Sequence, residues 1–418
     1  MGTRGAGIIL ALWAMLLGST AWADRFAYLP AAPMPGSGNS TGLLVVLNLD
    51  TGQSLTPIEL GEAEPSAVAL SGDGRIFVAD RAGGRVLVLD TLTLQVIETL
   101  ELPADAEPSA LLLSPDDRWL LVGGAAGLWR VDLTATPPAA EALTASYAGT
   151  ALAMTPDGRY VLSLDGGLFS GTPGIALLNL AAEPDLPLGT ELANLALDAG
   201  GQGLAAATDG RVYLANAQSD RLLVLQIDAD THALSLRETL ELPAQSAPYG
   251  VALSGDGRYL LLTLSYNRTF GFAQASGKVV LYATTDLSEQ YTLALENPAA
   301  FASYHPQVIA AIDEARFALV KSLWGQASGT VVSRLDLRTT PTGPVLEETD
   351  QASLGGYSMN WTGPFVGGDC EDCPGARDHT QAARAADESG GSGGFGLGLH
   401  PLLAGLALWL LAWCRVRR

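Results

Sequence analysis

A turn of the type Asp-Gly-Arg, preceded by one apolar run and followed by another, recurs seven times in this chain, and repetition on that scale leaves few folds open. The fullest unit reads Glu64-Pro65-Ser66-Ala67-Val68-Ala69-Leu70-Ser71-Gly72-Asp73-Gly74-Arg75-Ile76-Phe77-Val78-Ala79-Asp80. It continues as Arg85-Val86-Leu87-Val88-Leu89-Asp90 and ends with Gln95-Val96-Ile97-Glu98-Thr99-Leu100. These are four short apolar or alternating runs separated by turn residues, as an antiparallel meander requires. The turn returns as Asp116-Asp117-Arg118, Asp157-Gly158-Arg159, Asp209-Gly210-Arg211, Asp256-Gly257-Arg258 and Glu314-Ala315-Arg316, and Asp24-Arg25 stands before Phe26-Ala27-Tyr28-Leu29. Successive arginines lie 41 to 58 residues apart, about the chain length of a four-stranded propeller blade. Glycine accepts the positive φ of a tight hairpin and aspartate hydrogen-bonds turn backbone, so the recurring Asp and Arg read as turn chemistry rather than catalysis. The 48 glycines and 23 prolines among 418 residues suit a chain of many turns.

The first unit begins at its second strand; its third is Leu43 to Asn48 and its fourth runs from Gln53 to Leu60. At the other end, Tyr357-Ser358-Met359-Asn360-Trp361 follows a complete seventh unit. The expected fold is therefore all-β, a seven-bladed β-propeller closed by a C-terminal strand that completes the first blade, since an open ring would expose hydrogen-bonding edges. Units four and five are irregularly spaced, and fusing them would give six blades. The stretches Pro65 to Ala79, Pro108 to Val122 and Pro248 to Leu262 carry Pro-x-x-apolar-Ser-Pro/Gly-Asp-Gly-Arg before an apolar strand. In this they resemble the YVTN-type propellers, which include YncE-like periplasmic proteins and a lactonase-like seven-bladed group. The likeness covers residues 24–361; units four and five depart from it, with Gly149 and Gly201 where the proline would stand. It implies a fold and no single activity, because propellers host hydrolases, redox subunits, binding proteins and scaffolds.

The two ends read as addresses. Arg4, the apolar run Ile8 to Leu17 and Ala21-Trp22-Ala23 make residues 1–23 a signal peptide, cut between Ala23 and Asp24. Residues 24–361 are the propeller and residues 362–394 a flexible linker rich in Gly, Ser and Ala. Residues 395–418 hold an uncharged stretch, Phe395 to Cys414, long enough for a single C-terminal transmembrane helix. Arg415, Arg417 and Arg418 would stay cytoplasmic, leaving the propeller outside, periplasmic or at the cell surface. Gly390, Gly391, Gly393 and Gly394, the single span and the terminal arginines resemble bacterial GlyGly-CTERM sorting signals. That resemblance implies cleavage near the glycines by a rhomboid-like sortase after export through the sec translocon; a permanent anchor is the other reading.

Within the linker, Cys370 and Cys373 form a CxxC motif. Pro374 excludes the CxxCH of haem attachment, a zinc site lacks a second cysteine pair, and a local disulfide is the expected state. None of the 44 acidic residues and four of the 23 basic ones lie in residues 1–23 and 401–418, so the chain between carries −25. Such a surface repels nucleic acid and anionic headgroups.

In a propeller the segments leading into the inner strands share a face with the turns between second and third strands. The lead-in positions are Glu64, Glu107, Ala148, Gly200, Ala247 and His305. Glu64, Glu107 and His305 are the candidates for catalysis or for a divalent metal, against the plainer reading of solvated rim residues. On the same face, the long turns are Pro30 to Gly42 of unit one, Asp165 to Gly174 of unit four and Ser265 to Gly277 of unit six. Tyr266, Arg268, Phe270 and Phe272 there, with Trp324 of unit seven, are the candidate binding residues, or else they pack over their own loop. No HExxH motif and only four histidines occur. The leading expectation is a binding or scaffold module for a protein, peptide or glycan, without cofactor. The alternatives are a lactonase-like metal-assisted hydrolase and an accessory subunit of a periplasmic redox system.

Overall fold

In the computed structural model the described residues are 26–33, 38–48, 55–103, 105–143, 145–147, 149, 151–166, 172–201, 203–265, 277–295, 303–311, 315–324, 329–355 and 357–358. They form seven four-stranded antiparallel sheets, one per unit, and units four and five are separate blades. Blade 2 shows the plan. Strands Pro65–Leu70, Arg75–Asp80, Arg85–Asp90 and Val96–Glu101 follow one another outward from the centre, each paired with the next. Among the described residues there is no helix. The expected tail helix lies outside them, as do the signal peptide with Ala23 and Asp24, the CxxC linker and the sorting glycines and arginines.

Burial follows from how blades stack. The second and third strands are apolar without alternation, and Ile76, Phe77, Val78 and Ala79 are all fully buried. A sheet covered on both faces needs that pattern. The outermost strand faces water, and Val96 to Thr99 are exposed. Seven clusters of buried side chains each join two consecutive blades. Phe77, Val86 and Val88 of blade 2 pack with Leu120, Val122 and Trp129 of blade 3. Ala27, Leu29 and Val45 of blade 1 pack with Ala318, Val320 and Val332 of blade 7, so apolar contact runs round the whole ring. Tyr357 and Ser358 pair with Pro33 and Ala32, at the inner edge of blade 1. Strand Phe26–Pro33 extends three residues past the expected start of its turn at Pro30, and the fourth strand of that blade is only Ile58–Glu59.

The recurring hairpin is a small hydrogen-bonded device. Ser114 Oγ donates to Asp116 Oδ1 (2.5 Å) and accepts from the Trp119 amide (2.9 Å). Thr155 and Ser254 do the same with Asp157 (2.6 Å) and Asp256 (2.7 Å), accepting from the amides of Tyr160 and Tyr259. The arginine that follows lies over the next aromatic ring. Arg118 sits 4.9 Å from the Trp119 centroid, Arg159 5.2 Å from Tyr160 and Arg258 5.8 Å from Tyr259. The Asp and Arg of the repeat thus brace the turn, and the arginine also covers the ring that starts the strand.

Two measurements test this architecture. Phe77→Ala should cost about 3–5 kcal/mol in urea unfolding, whereas Ile97→Ala, 56% exposed on the outer strand, should stay within about 0.5 kcal/mol. The Ser114 hydroxyl holds the Asp116 carboxyl below its ordinary pKa, and the Arg118 guanidinium does so for Asp132. A carboxyl lowered on folding stabilises at pH above its unfolded value, about 4. That contribution disappears as pH falls through the folded-state value. The stability gap between wild type and Ser114→Ala should therefore be full at pH 7 and narrow below about pH 4.

Candidate functional site

Register places one set of strand ends on a common face. In blade 2, Pro65 pairs with Asp80, Asp80 with Arg85 and Arg85 with Glu101, a single row across the sheet. Blade 3 starts beside it with Pro108 opposite Gly124. Between these ends opens a cleft of about 550 Å³, lined by Glu64, Glu101, Asp105, Glu107 and the Arg81–Gly84 turn. Glu64 and Glu107 were singled out by their place before an inner strand, and the fold brings both to this one cleft.

Its electrostatics are lopsided. Four carboxylates and a single guanidinium line it, and the Arg81 guanidinium is already engaged with the Glu64 carboxylate. Glu101, Asp105 and Glu107 have no such partner from Arg81. The floor is rigid because Asp80, 0% exposed, accepts from the amides of Glu64 (2.9 Å) and Gly83 (3.1 Å) and from Arg85 Nε (2.9 Å). A buried carboxylate with three donors is the compensated case that burial of charge demands. Asn216 repeats part of the device in blade 5, accepting from the Ser219 amide and donating to Ala199 O. Sequence reading missed Arg81, Glu101 and Asp105 as cleft residues. The signal was present in the sequence, since Glu101 and Asp105 flank the same lead-in as Glu107, but it emerges only once strand ends are aligned.

The other expected site residues fall differently. His305 lies on the inner strand Ser303–Ala311 of blade 7, opposite Ser322, and Trp324 ends strand Arg316–Trp324. Their side chains, and all of Tyr266, Arg268, Phe270 and Phe272, lie outside the described residues. Among the described residues no group of three or more His, Cys, Asp or Glu side chains is arranged to hold a metal ion. On the opposite face, the Tyr160 hydroxyl meets His232 Nδ1 at 2.9 Å and His232 Nε2 meets Glu183 Oε1 at 2.6 Å, joining the outer turns of blades 4 and 5. Burial pushes the Tyr160 phenol up. Tyr160 is 2% exposed, so this chain of hydrogen bonds ties two blades and does not present a hydroxyl to a substrate.

No family model matches the chain, and no curated protein matches it. Solved propellers do. A candidate 6-phosphogluconolactonase from Bacteroides fragilis is 17% identical with a TM-score of 0.58, covering 83% of this chain and 99% of its own. A hypothetical selenium-binding protein from Sulfolobus tokodaii is 12% identical with a TM-score of 0.58, covering 80% and 92%. The Cps50 (Swd1) propeller domain of Myceliophteria thermophila is 14% identical with a TM-score of 0.53, covering 72% and 94%. At such identity the likeness is one of fold alone, and the differing names of these proteins underline it.

Asp80 gives the check on the cleft floor. Asp80→Ala strands two amides and a guanidinium and should cost about 3 kcal/mol in urea unfolding, with Asp80→Asn costing clearly less. A loss under about 1 kcal/mol for the alanine variant would remove Asp80 from this role.

Proposed function

We propose that this chain is an exported propeller that works as a binding module, and that its cleft between blades 2 and 3 docks a positively charged group of a protein, peptide or glycan partner. One observation carries this reading: among the described residues four carboxylates line the cleft, and the one guanidinium there is engaged with one of them. Three acidic side chains around a concave surface raise the local concentration of cations and steer them inward. The surplus of −25 between the chain ends extends that field over the surface. Export rests on the signal-peptide pattern of residues 1–23, and release or anchoring on the glycine pairs, apolar stretch and terminal arginines of the tail. The strand Tyr357 to Trp361 is read as the clasp that completes blade 1.

Oligolysine titrated onto the natively expressed protein should bind with an affinity that falls at least tenfold between 50 and 300 mM salt. The triple variant Glu101→Gln, Asp105→Asn, Glu107→Gln should lose that binding while keeping its melting temperature. Equal binding by the triple variant would reject the cleft. Intact mass of the same material should fit a chain starting at Asp24 and ending between Gly390 and Gly394. A chain still ending at Arg418 in a membrane fraction would replace release by a permanent anchor.

A further inference from the structure

Three inner strands are introduced by variants of one phrase: Glu59-Leu60-Gly61-Glu62-Ala63-Glu64-Pro65, Glu101-Leu102-Pro103-Ala104-Asp105-Ala106-Glu107-Pro108 and Glu241-Leu242-Pro243-Ala244-Gln245-Ser246-Ala247-Pro248. The last two share a backbone. Asp105 and Glu107 have φ of 65° and 42°, and Gln245 and Ala247 have φ of 65° and 43°. Ala106 N donates to Pro103 O at 3.2 Å as Ser246 N does to Pro243 O at 3.1 Å. Two left-handed residues separated by one turn their amides to the same side, making a concave pair of donors suited to an anion.

In the blade 5 to blade 6 copy the anion is part of the protein. The Asp220 carboxylate accepts from Gln245 N at 2.8 Å and from Ala247 N at 2.9 Å. In the blade 1 to blade 2 copy the amide before the proline, Glu64 N, donates to Asp80 at 2.9 Å. The blade 2 to blade 3 copy has neither. Asp220, which pairs its turn with φ 56°, is matched there by Gly84 with φ 61°. Asp80, opposite Pro65, is matched by Gly124, opposite Pro108. Gly124 has to be glycine, because a Cβ would stand 2.2 Å from Ala106 O, but a Cβ on Gly84 meets nothing within 4 Å. Among the described residues the amides of Asp105 and Glu107 find no acceptor, and both residues line the cleft.

We propose that these two amides receive the carboxylate of a ligand, in the place that Asp220 occupies between blades 5 and 6. A simple anion would be repelled by Glu101, Asp105 and Glu107, and a simple cation would leave the amide pair unused. A group carrying both charges a few bonds apart satisfies both: an α-carboxylate beside a cationic side chain, as in free lysine or arginine or a peptide that ends in one. The carboxylate sits on the amides and the ammonium or guanidinium turns to the acidic side chains. This deepens the cationic-cleft reading and rests on it.

Calorimetric titration of the full protein with free lysine, Gly-Gly-Lys and Gly-Gly-Lys amide separates the possibilities. The peptide acid should bind at least tenfold more tightly than its amide, with the Asp105 and Glu107 amide proton resonances moving downfield. Free lysine binding as well as the peptide acid would assign the site to an amino acid, and weaker binding to a peptide end. Gly84→Asp copies Asp220 into a position with room for it. It should lower peptide-acid affinity at least tenfold and leave amide binding unchanged, with the melting temperature lowered by no more than the few degrees that an aspartate at φ 61° costs. Acid and amide binding within twofold of each other would overturn the amide-pair site while leaving the cationic cleft standing. Binding of neither would overturn both.

Discussion

Each blade of this protein is a sheet with two apolar faces, and a single sheet can bury neither alone. Everything else follows from that constraint. Phe77, Val86 and Val88 find cover only because Leu120, Val122 and Trp129 come from the next blade. The same holds at the seam where Ala27, Leu29 and Val45 meet Ala318, Val320 and Val332. Burial worth roughly 25 cal/mol per Å² is therefore shared between neighbours at every seam, and no blade carries its own stability. A ring in which every blade has two neighbours leaves only the outer strands and the turns in contact with water.

The division of labour between the two sets of turns comes from the same geometry. On one face the tight Ser/Thr-x-Asp-x-Arg hairpins repeat with few changes, because each must reverse the chain in a fixed space and cap an aromatic ring. On the other face the lead-in segments cross from one blade to the next and the second turn of each sheet varies in length. There the chain bridges a gap whose dimensions no neighbour dictates, so residue type is free to change. Asp80 holds that face together in blade 2 by binding amides from two separate segments. Asn216 does a weaker version of the same work in blade 5.

The number of blades and the order of strands were legible because repetition and hydrophobic runs report directly on burial. The Asp-x-Arg turns marked each second strand to within a residue. Glu64 and Glu107 were legible as rim positions because each precedes the proline that opens an inner strand. What periodicity could not convey was which side chains meet across a seam. Arg81 lies in a turn of four residues with no apolar pattern, and its engagement with Glu64 depends on the strand register that sets Pro65 opposite Asp80. His232 gave no pattern either, since its partners Tyr160 and Glu183 stand 72 and 49 residues away in the previous blade. The boundaries of blade 1 were misjudged for a related reason. Pro30 suggested a turn, but its position lets the strand run on to Pro33.

A repeat protein separates structure from function in a way that a unique fold does not. A feature present in every copy, such as the aspartate and arginine of the hairpin, is what any blade needs to be a blade. A feature lost in one copy, where its neighbours keep it, points to a different demand at that place. Two of three related lead-in segments bring a carboxylate to the amide before the proline, and the third has Gly84 and Gly124 at both positions that could supply it. Close approach to Ala106 O forces the glycine at 124, whereas at 84 the left-handed φ of 61° favours glycine but no contact demands it, and Asp220 holds the matching position at φ 56°. The same seam gathers Glu64, Glu101, Asp105 and Glu107 around one cleft. Surplus negative charge on the side chains and two donors on the backbone therefore coincide where the repeat is broken, on residues that line the same cleft.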